Sequence, residues 1–436
     1  MKGEVDEKTY WLAKRIFLSN ALLYWHMTKN ADFANKRPFL TAMALALGGA
    51  ISLGLARFSY GLFLPLMRED LSWTYLIAGT MNTANAGGYF IGALIAPWCF
   101  KKQGVSKIFI AAALITCLLI GLSGNFVDTT TLFALRFMAG MTSALVFVGG
   151  GVLAAQLGSL HVNKSGFLLG IYYGGTGFGI ILSSVLVPLM VGLAESLSMP
   201  HPWQPGWWAI ALAGFMLIGL MVKPALSVPK SPPRPPASGS TPVMSYVYVV
   251  LGYACFGMGY IGYMTFVIAL LKQMGITGVA LNTFYGILGL CVILSSRLWA
   301  SMFDKYKGGQ SMAILNTLLG IACFIPAGIA IYGEATLTGW SIAAVYGSGI
   351  IFGGCFLSAV ASTTVFVKHN MPQIQWVAGI TVFTSIFAFG QILGPILVGW
   401  ISDGAGGLAR GLFISGVILL IGAMAASKQR PLVFSA

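Results

Sequence analysis

The sequence predicts an all-α polytopic membrane protein, with twelve transmembrane helices in two pseudo-symmetric six-helix bundles. Three observations carry that expectation. Of 436 residues, 57% are hydrophobic and only 8% charged, where soluble domains carry about 25% charge. The apolar runs are unbroken over the roughly 20 residues that a helix needs to cross the hydrocarbon core, and they lack the alternation of barrel strands. One long polar stretch falls between the sixth and seventh runs and divides the set evenly.

Along the chain, residues 1–37 form a tail whose aromatic-rich part, 10–25, is interrupted by Lys14 and Arg15. It is too short and too charged to span. An interfacial amphipathic helix, an unstructured tail and an overlong start all remain open, and no cleavable signal-peptide pattern is present. Spans are expected over 39–66, 73–100, 108–125, 132–160, 167–193 and 203–222, which make a first bundle, 38–222. Residues 223–245 read KPALSVPKSPPRPPASGSTPVMS, a basic Pro/Ser-rich linker that cannot pack a core. Spans over 246–271, 279–303, 312–332, 337–367, 376–401 and 408–426 make a second bundle, 246–427, and 428–436 form a closing tail.

Basic residues orient these spans. With the N-terminus inside, nineteen of the 25 Lys and Arg fall in cytoplasmic tails and loops, and only Arg68, Lys272 and Arg410 fall outside. That bias predicts both termini on the cytoplasmic side of a bacterial inner membrane. It also explains the net charge of +14 without nucleic acid, because the basic residues form no clustered patch.

Three arginines remain, and all are embedded: Arg57, Arg136 and Arg297. An arginine at the centre of a span costs about 2.5–3.5 kcal/mol on insertion scales, so each is a candidate functional residue. The 11 acidic residues all lie in tails, loops or span ends. Without an embedded carboxylate, proton-driven efflux of cations is disfavoured, and the counter-ion of an embedded arginine is either a substrate or the backbone. An anion exchanger, a uniporter and a symporter whose substrate carries the proton all stay open.

The six cysteines form no CxxC pair, and the four histidines lie outside the spans. No metal site, cofactor or imidazole relay is expected. Nor is there a nucleophile–base pair or nucleotide loop, so the chain does not read as an enzyme. A transporter-like membrane sensor is disfavoured because no extramembrane domain is available to relay a signal.

Several motifs are specific. Arg136 and Gly140 form an R-x-x-x-G pattern in the fourth span. The loop after the eighth span reads WASMFDKYKGG, with Asp304 and Lys305 at a turn, and Arg297 close upstream. Its counterpart after the second span, PWCFKKQG, keeps Lys101, Lys102 and Gly104 but lacks the Asp. The eleventh span carries Gly390-Gln391-Ile392-Leu393-Gly394-Pro395, the first carries Arg57-Phe58-Ser59-Tyr60, and the fifth carries GIYYGGTGFG over 170–179. Over residues 38–427 these features closely resemble the YbfB/YjiJ-type branch of the major facilitator superfamily. The resemblance implies a secondary transporter working by alternating access, with a midplane site between the bundles. It further implies that the two short loops latch a closed state, and a monomer is expected.

A substrate site is expected where embedded polar side chains converge. Arg57 and Tyr60 share a face of the first span. Asn82, Asn85 and Tyr89 form a stripe on the second, and Tyr253, Phe256, Tyr260 and Tyr263 on the seventh; Tyr172, Tyr173, Asn282 and Gln391 join from other spans. A guanidinium among phenols and carboxamides suits a small-molecule anion, which it grips bidentately. The expected cargo is a small organic anion or carboxylate. Efflux of neutral or amphipathic drugs is the alternative, since an aromatic lining suits it. Arg57 as a structural cation paired to carbonyls, and Arg297 as a partner of Asp304, are the competing readings of those residues.

Overall fold

A computed structural model describes residues 33–229, 241–332 and 338–432. The 10–25 segment and residues 230–240 of the Pro-rich linker lie outside the described residues. Twelve long helices organise the described chain: α1 (Pro38–Asp70), α2 (Tyr75–Gln103), α3 (Val105–Ser123), α4 (Thr129–Leu160), α5 (Ser165–Ser196), α6 (Gln204–Ser227), α7 (Val247–Gln273), α8 (Gly278–Leu298), α9 (Gln310–Tyr332), α10 (Gly339–Asn370), α11 (Trp376–Ser402) and α12 (Gly407–Ser427). A short helix, Ala300–Lys305, extends α8. No strand occurs among the described residues.

Eleven of these elements are long and apolar enough to cross a membrane. The remaining one, α2, has the length, 29 residues, but carries Thr80, Asn82, Thr83, Asn85 and several glycines. It tolerates them because it is packed between α4 and α11, where polar side chains find partners that lipid cannot offer. At the other end of the first bundle, α6 runs through Pro224 to Ser227 and so takes in the start of the expected linker.

Helix starts follow from side-chain caps. Thr74 accepts from the Ile77 amide at α2, and Asp128 accepts from the Thr131 amide at 2.7 Å at α4. That backbone hydrogen bond, together with one from the Thr131 hydroxyl, holds the Asp128 carboxyl below its ordinary range. The turn from α2 to α3 is made by Gly104, at φ +86°, a backbone conformation that side chains disfavour.

Helices α1–α6 pack mainly on one another, as do α7–α12. The two sets meet through α5 on α8, α2 on α11 and α1 on α7. The face carrying Pro38 and Ser427 is called the terminal face below, and the opposite one the distal face. Polar contacts between the sets gather toward the distal face. The Asp403 carboxylate accepts from the Tyr75 and Leu76 amides at 2.6 and 2.8 Å, Gln273 donates to the Tyr75 hydroxyl, and Lys272 pairs with Glu69 at 3.3 Å. Deeper in, Asn82 donates to Thr265, Thr83 to the Ile392 carbonyl and Tyr285 to the Phe58 carbonyl. Toward the terminal face the sets touch where Arg297 lies over the Phe167 ring, 4.5 Å from its centroid.

Candidate functional site

The most unusual local structure in the fold is in α1. Ala50–Phe58 is a π-helix, closed at its end by a Ser59 amide to Gly54 carbonyl hydrogen bond of 3.0 Å. Nothing in the composition of AISLGLARF announces it. A π turn holds more residues than an α turn, and such segments are rare and concentrate at functional sites. Gly54 permits this one: a Cβ there would crowd the Gly179 backbone of α5 at 2.5 Å. The widened segment supplies carbonyls to side chains elsewhere. The Ala56 carbonyl accepts from Arg136 Nη1 at 2.7 Å, and the Phe58 carbonyl accepts from the Tyr285 hydroxyl at 2.6 Å.

Arg57 sits within the π-helix and is 2% exposed. Its Nε and Nη2 are buried without a hydrogen-bond partner, and no ion pair joins it among the described residues. Its nearest aromatic company is Tyr89 of α2, whose ring centroid is 5.6 Å from the guanidinium carbon. Tyr89 and Tyr260 are both within electrostatic reach of the Arg57 charge, and Tyr173 of α5 is within reach of Tyr89. Gln391 of α11 donates to the Tyr260 hydroxyl, which leaves the phenol proton free to donate in turn. The other amide atom, Gln391 Oε1, is buried and unpartnered. Phenols of α2 and α7 thus accompany the Arg57 cation of α1, with α5 and α11 behind them through Tyr173 and Gln391. Tyr89 and Tyr173 keep partial exposure.

Beside this cluster lies an aromatic array from α7, α10 and α11. Tyr260 stacks with Phe256 (4.8 Å, 15°), Phe356 (5.9 Å, 8°) and Phe387 (5.6 Å, 15°). Tyr253 continues it over Phe256 and Phe387. Phe356 and Phe387 were not among the residues expected from sequence. A phenylalanine in an apolar span looks the same whether it faces lipid, core or ligand.

The other expected residues take different positions. Arg136 is 4% exposed and turns into the first bundle, over the rings of Tyr60 (4.6 Å) and Trp207 (5.9 Å). Tyr60 spends its hydroxyl on the Ala78 carbonyl, and Tyr172 on the Phe147 carbonyl. Asn85 donates to the Arg136 carbonyl. The motif glycine, Gly140, packs on the same Asn85 backbone, where any Cβ would collide with the carbonyl. Asn82 serves the α2–α7 contact described above. Asn282 lies partly exposed near the distal start of α8.

In the loops, Lys101 and Lys102 are exposed, the latter over the Trp98 ring. Asp304 and Lys305 are exposed too, and no ion pair joins Asp304 to Arg297 among the described residues; Arg297 rests on Phe167 instead. Gly394 abuts the Met258 carbonyl and Pro395 abuts Gly79, so the eleventh-span motif builds the α11 contacts with α7 and α2.

Comparison with known proteins agrees with this architecture. Two Agrobacterium vitis proteins, each named "Putative tartrate transporter", are similar at 23% and 22% identity, with 85% of this chain aligned and 88% and 85% of theirs. Among solved structures, the nucleoside transporter NupG superposes with a TM-score of 0.65 at 14% identity, over 89% of this chain and 100% of its own. A bacterial homologue of the human lysosomal transporter Spinster, in an inward-facing and unoccupied conformation, gives 0.66 at 13% identity, over 89% and 96%. Residues 49–427 match the family described as "Uncharacterised MFS-type transporter YbfB". The chain is therefore a multi-pass membrane protein that belongs to the YbfB-type family of major facilitator transporters.

Proposed function

We propose that the protein is a secondary transporter that moves a small organic anion, a carboxylate, by alternating access, with Arg57 as the group that holds it. One observation carries this reading: a guanidinium buried to 2% exposure with two N–H-bearing nitrogens left without partners. An uncompensated charge in a low-dielectric interior costs several kcal/mol, and a carboxylate arriving at Arg57 relieves that cost with two charge-assisted hydrogen bonds. The Tyr260 hydroxyl, oriented by Gln391, is placed to donate a third. Tyr89 lies over the guanidinium and adds a ring face to the site. The names of the two Agrobacterium vitis relatives, tartrate transporters, support a carboxylate cargo.

In this reading the bundles 38–222 and 246–427 rock about the site as a monomer in a bacterial inner membrane. The terminal face is cytoplasmic, as the excess of Lys and Arg on that side favours. The distal contacts of Asp403, Gln273 and Lys272 then close the extracellular route. The test is uptake of labelled carboxylates, tartrate among them, into proteoliposomes bearing wild type or Arg57→Ala. Wild type accumulates an anion that the variant does not; retained anion transport by Arg57→Ala refutes the assignment. Saturable transport of neutral or cationic amphipathic drugs, with no anion moved, favours the efflux reading that the aromatic lining alone would suit.

A further inference from the structure

We infer that the carboxylate held at Arg57 belongs to a molecule with a flat aromatic body, so that the cargo is an aromatic monocarboxylate rather than a hydroxylated diacid. This rests on the anion reading above and adds the other end of the ligand.

The cation and the ring array share a member. Tyr260 is within electrostatic reach of Arg57, and its ring stacks with Phe256, Phe356 and Phe387 at interplanar angles of 15°, 8° and 15°. Phe58, next to Arg57 in sequence, meets Phe356 edge-on at 5.5 Å and 85°. Four near-parallel rings, Tyr260, Phe256, Phe356 and Phe387, thus extend over α7, α10 and α11 from the phenol that faces the Arg57 charge. Phe387 is partly exposed in that array, and Tyr89 and Tyr173 are partly exposed on the helices opposite. A planar apolar group between them gains offset-stacked contacts on both sides.

A diacid fits poorly. Its second carboxylate needs a second cation, and the other buried one, Arg136, has Nη1 bonded to the Ala56 carbonyl and the Tyr60 and Trp207 rings over its charge, which leaves only Nε and Nη2 to receive it. Hydroxyl groups laid against Phe387, which Phe356 backs through Tyr260, would be stripped of water without gaining partners.

The experiment is thermal stabilisation of the purified full-length protein by benzoate, phenylacetate and indole-3-acetate, against tartrate and succinate. It is run on wild type, Arg57→Ala, Phe387→Leu and Phe356→Leu. At least one aromatic acid is expected to act at about tenfold lower concentration than either diacid, a ratio set by one good aromatic contact. Phe387→Leu or Phe356→Leu should shrink that ratio several-fold, and the melting of each variant without ligand shows that it is folded. Should one variant fail to fold, the other and the wild-type ratio still decide.

Diacids acting as well as or better than every aromatic acid on wild type overturn the inference. So does an aromatic preference unchanged in the leucine variants. If the diacid response is lost in Arg57→Ala but no aromatic preference appears, only the ring assignment fails. If the aromatic preference survives in Arg57→Ala, the anion reading itself fails.

Discussion

Arg57 and Arg136 are 2% and 4% exposed, lie on helices packed together and each leave Nε and Nη2 without a partner, yet they differ at the third nitrogen. Arg136 is built in. Its Nη1 donates to the Ala56 carbonyl of the π-helix and two aromatic faces cover its charge, although its Nε and Nη2 have no partner. Arg57 makes no hydrogen bond among the described residues, and one ring lies over it at a longer distance. The difference teaches that a buried cation is a candidate ligand site where no group of the protein bonds to it. Tyr60 and Tyr172 spend their hydroxyls on other helices, and Asn82 and Asn85 spend their amide N–H groups there while their Oδ1 atoms have no partner.

This contrast can be broken by experiment. The largest effect is expected for Arg57→Ala, with anion uptake falling by about a hundredfold or more as charge-assisted hydrogen bonds are lost. Its melting temperature should hold or rise, because an uncompensated buried charge has been removed. A melting temperature that drops instead would make Arg57 structural.

Arg136→Ala should do the reverse. It removes a charged hydrogen bond and strands the Ala56 carbonyl, lowering stability by about 2 kcal/mol in denaturant titration; unchanged stability would erase the distinction between the two arginines. Tyr285→Phe takes the second hydrogen bond from the π-helix and should cost about 1 kcal/mol in the same titration. If it costs nothing, the Phe58 carbonyl is satisfied in another way.

The sequence makes these outcomes only partly legible. The spans, their number and the embedded arginines are visible because an apolar run and an isolated charge carry large transfer free energies. Arg57 and Arg136 look alike there, since what separates them is a carbonyl released by a π-helix that no local propensity predicts. Asn82 and Asn85 form a stripe that suits a ligand, but the same spacing suits a helix wedged between two others, and they hold α2 in place. The twelfth crossing, α2, is polar for that reason and is recognised by its length and its partners. Phe356 and Phe387 give no signal at all, because the stacking that matters is between helices distant in sequence.

Asp403 has a consequence for how the transporter can be watched. Its carboxylate sits at the end of α11 and satisfies the first amides of α2, Tyr75 and Leu76, across the boundary between the helix sets. A helix start normally finds its cap nearby in sequence, as α4 does with Asp128. The start of α2 has such a local cap in Thr74 and a second one more than three hundred residues away in Asp403, so separating the distal ends returns the Tyr75 and Leu76 amide protons to water. Hydrogen–deuterium exchange at Tyr75 and Leu76 then becomes a clock for the distal gate, readable without labels or cysteines. Exchange that slows when the gate is held shut and quickens in Asp403→Ala would make the backbone of one bundle a reporter on the position of the other.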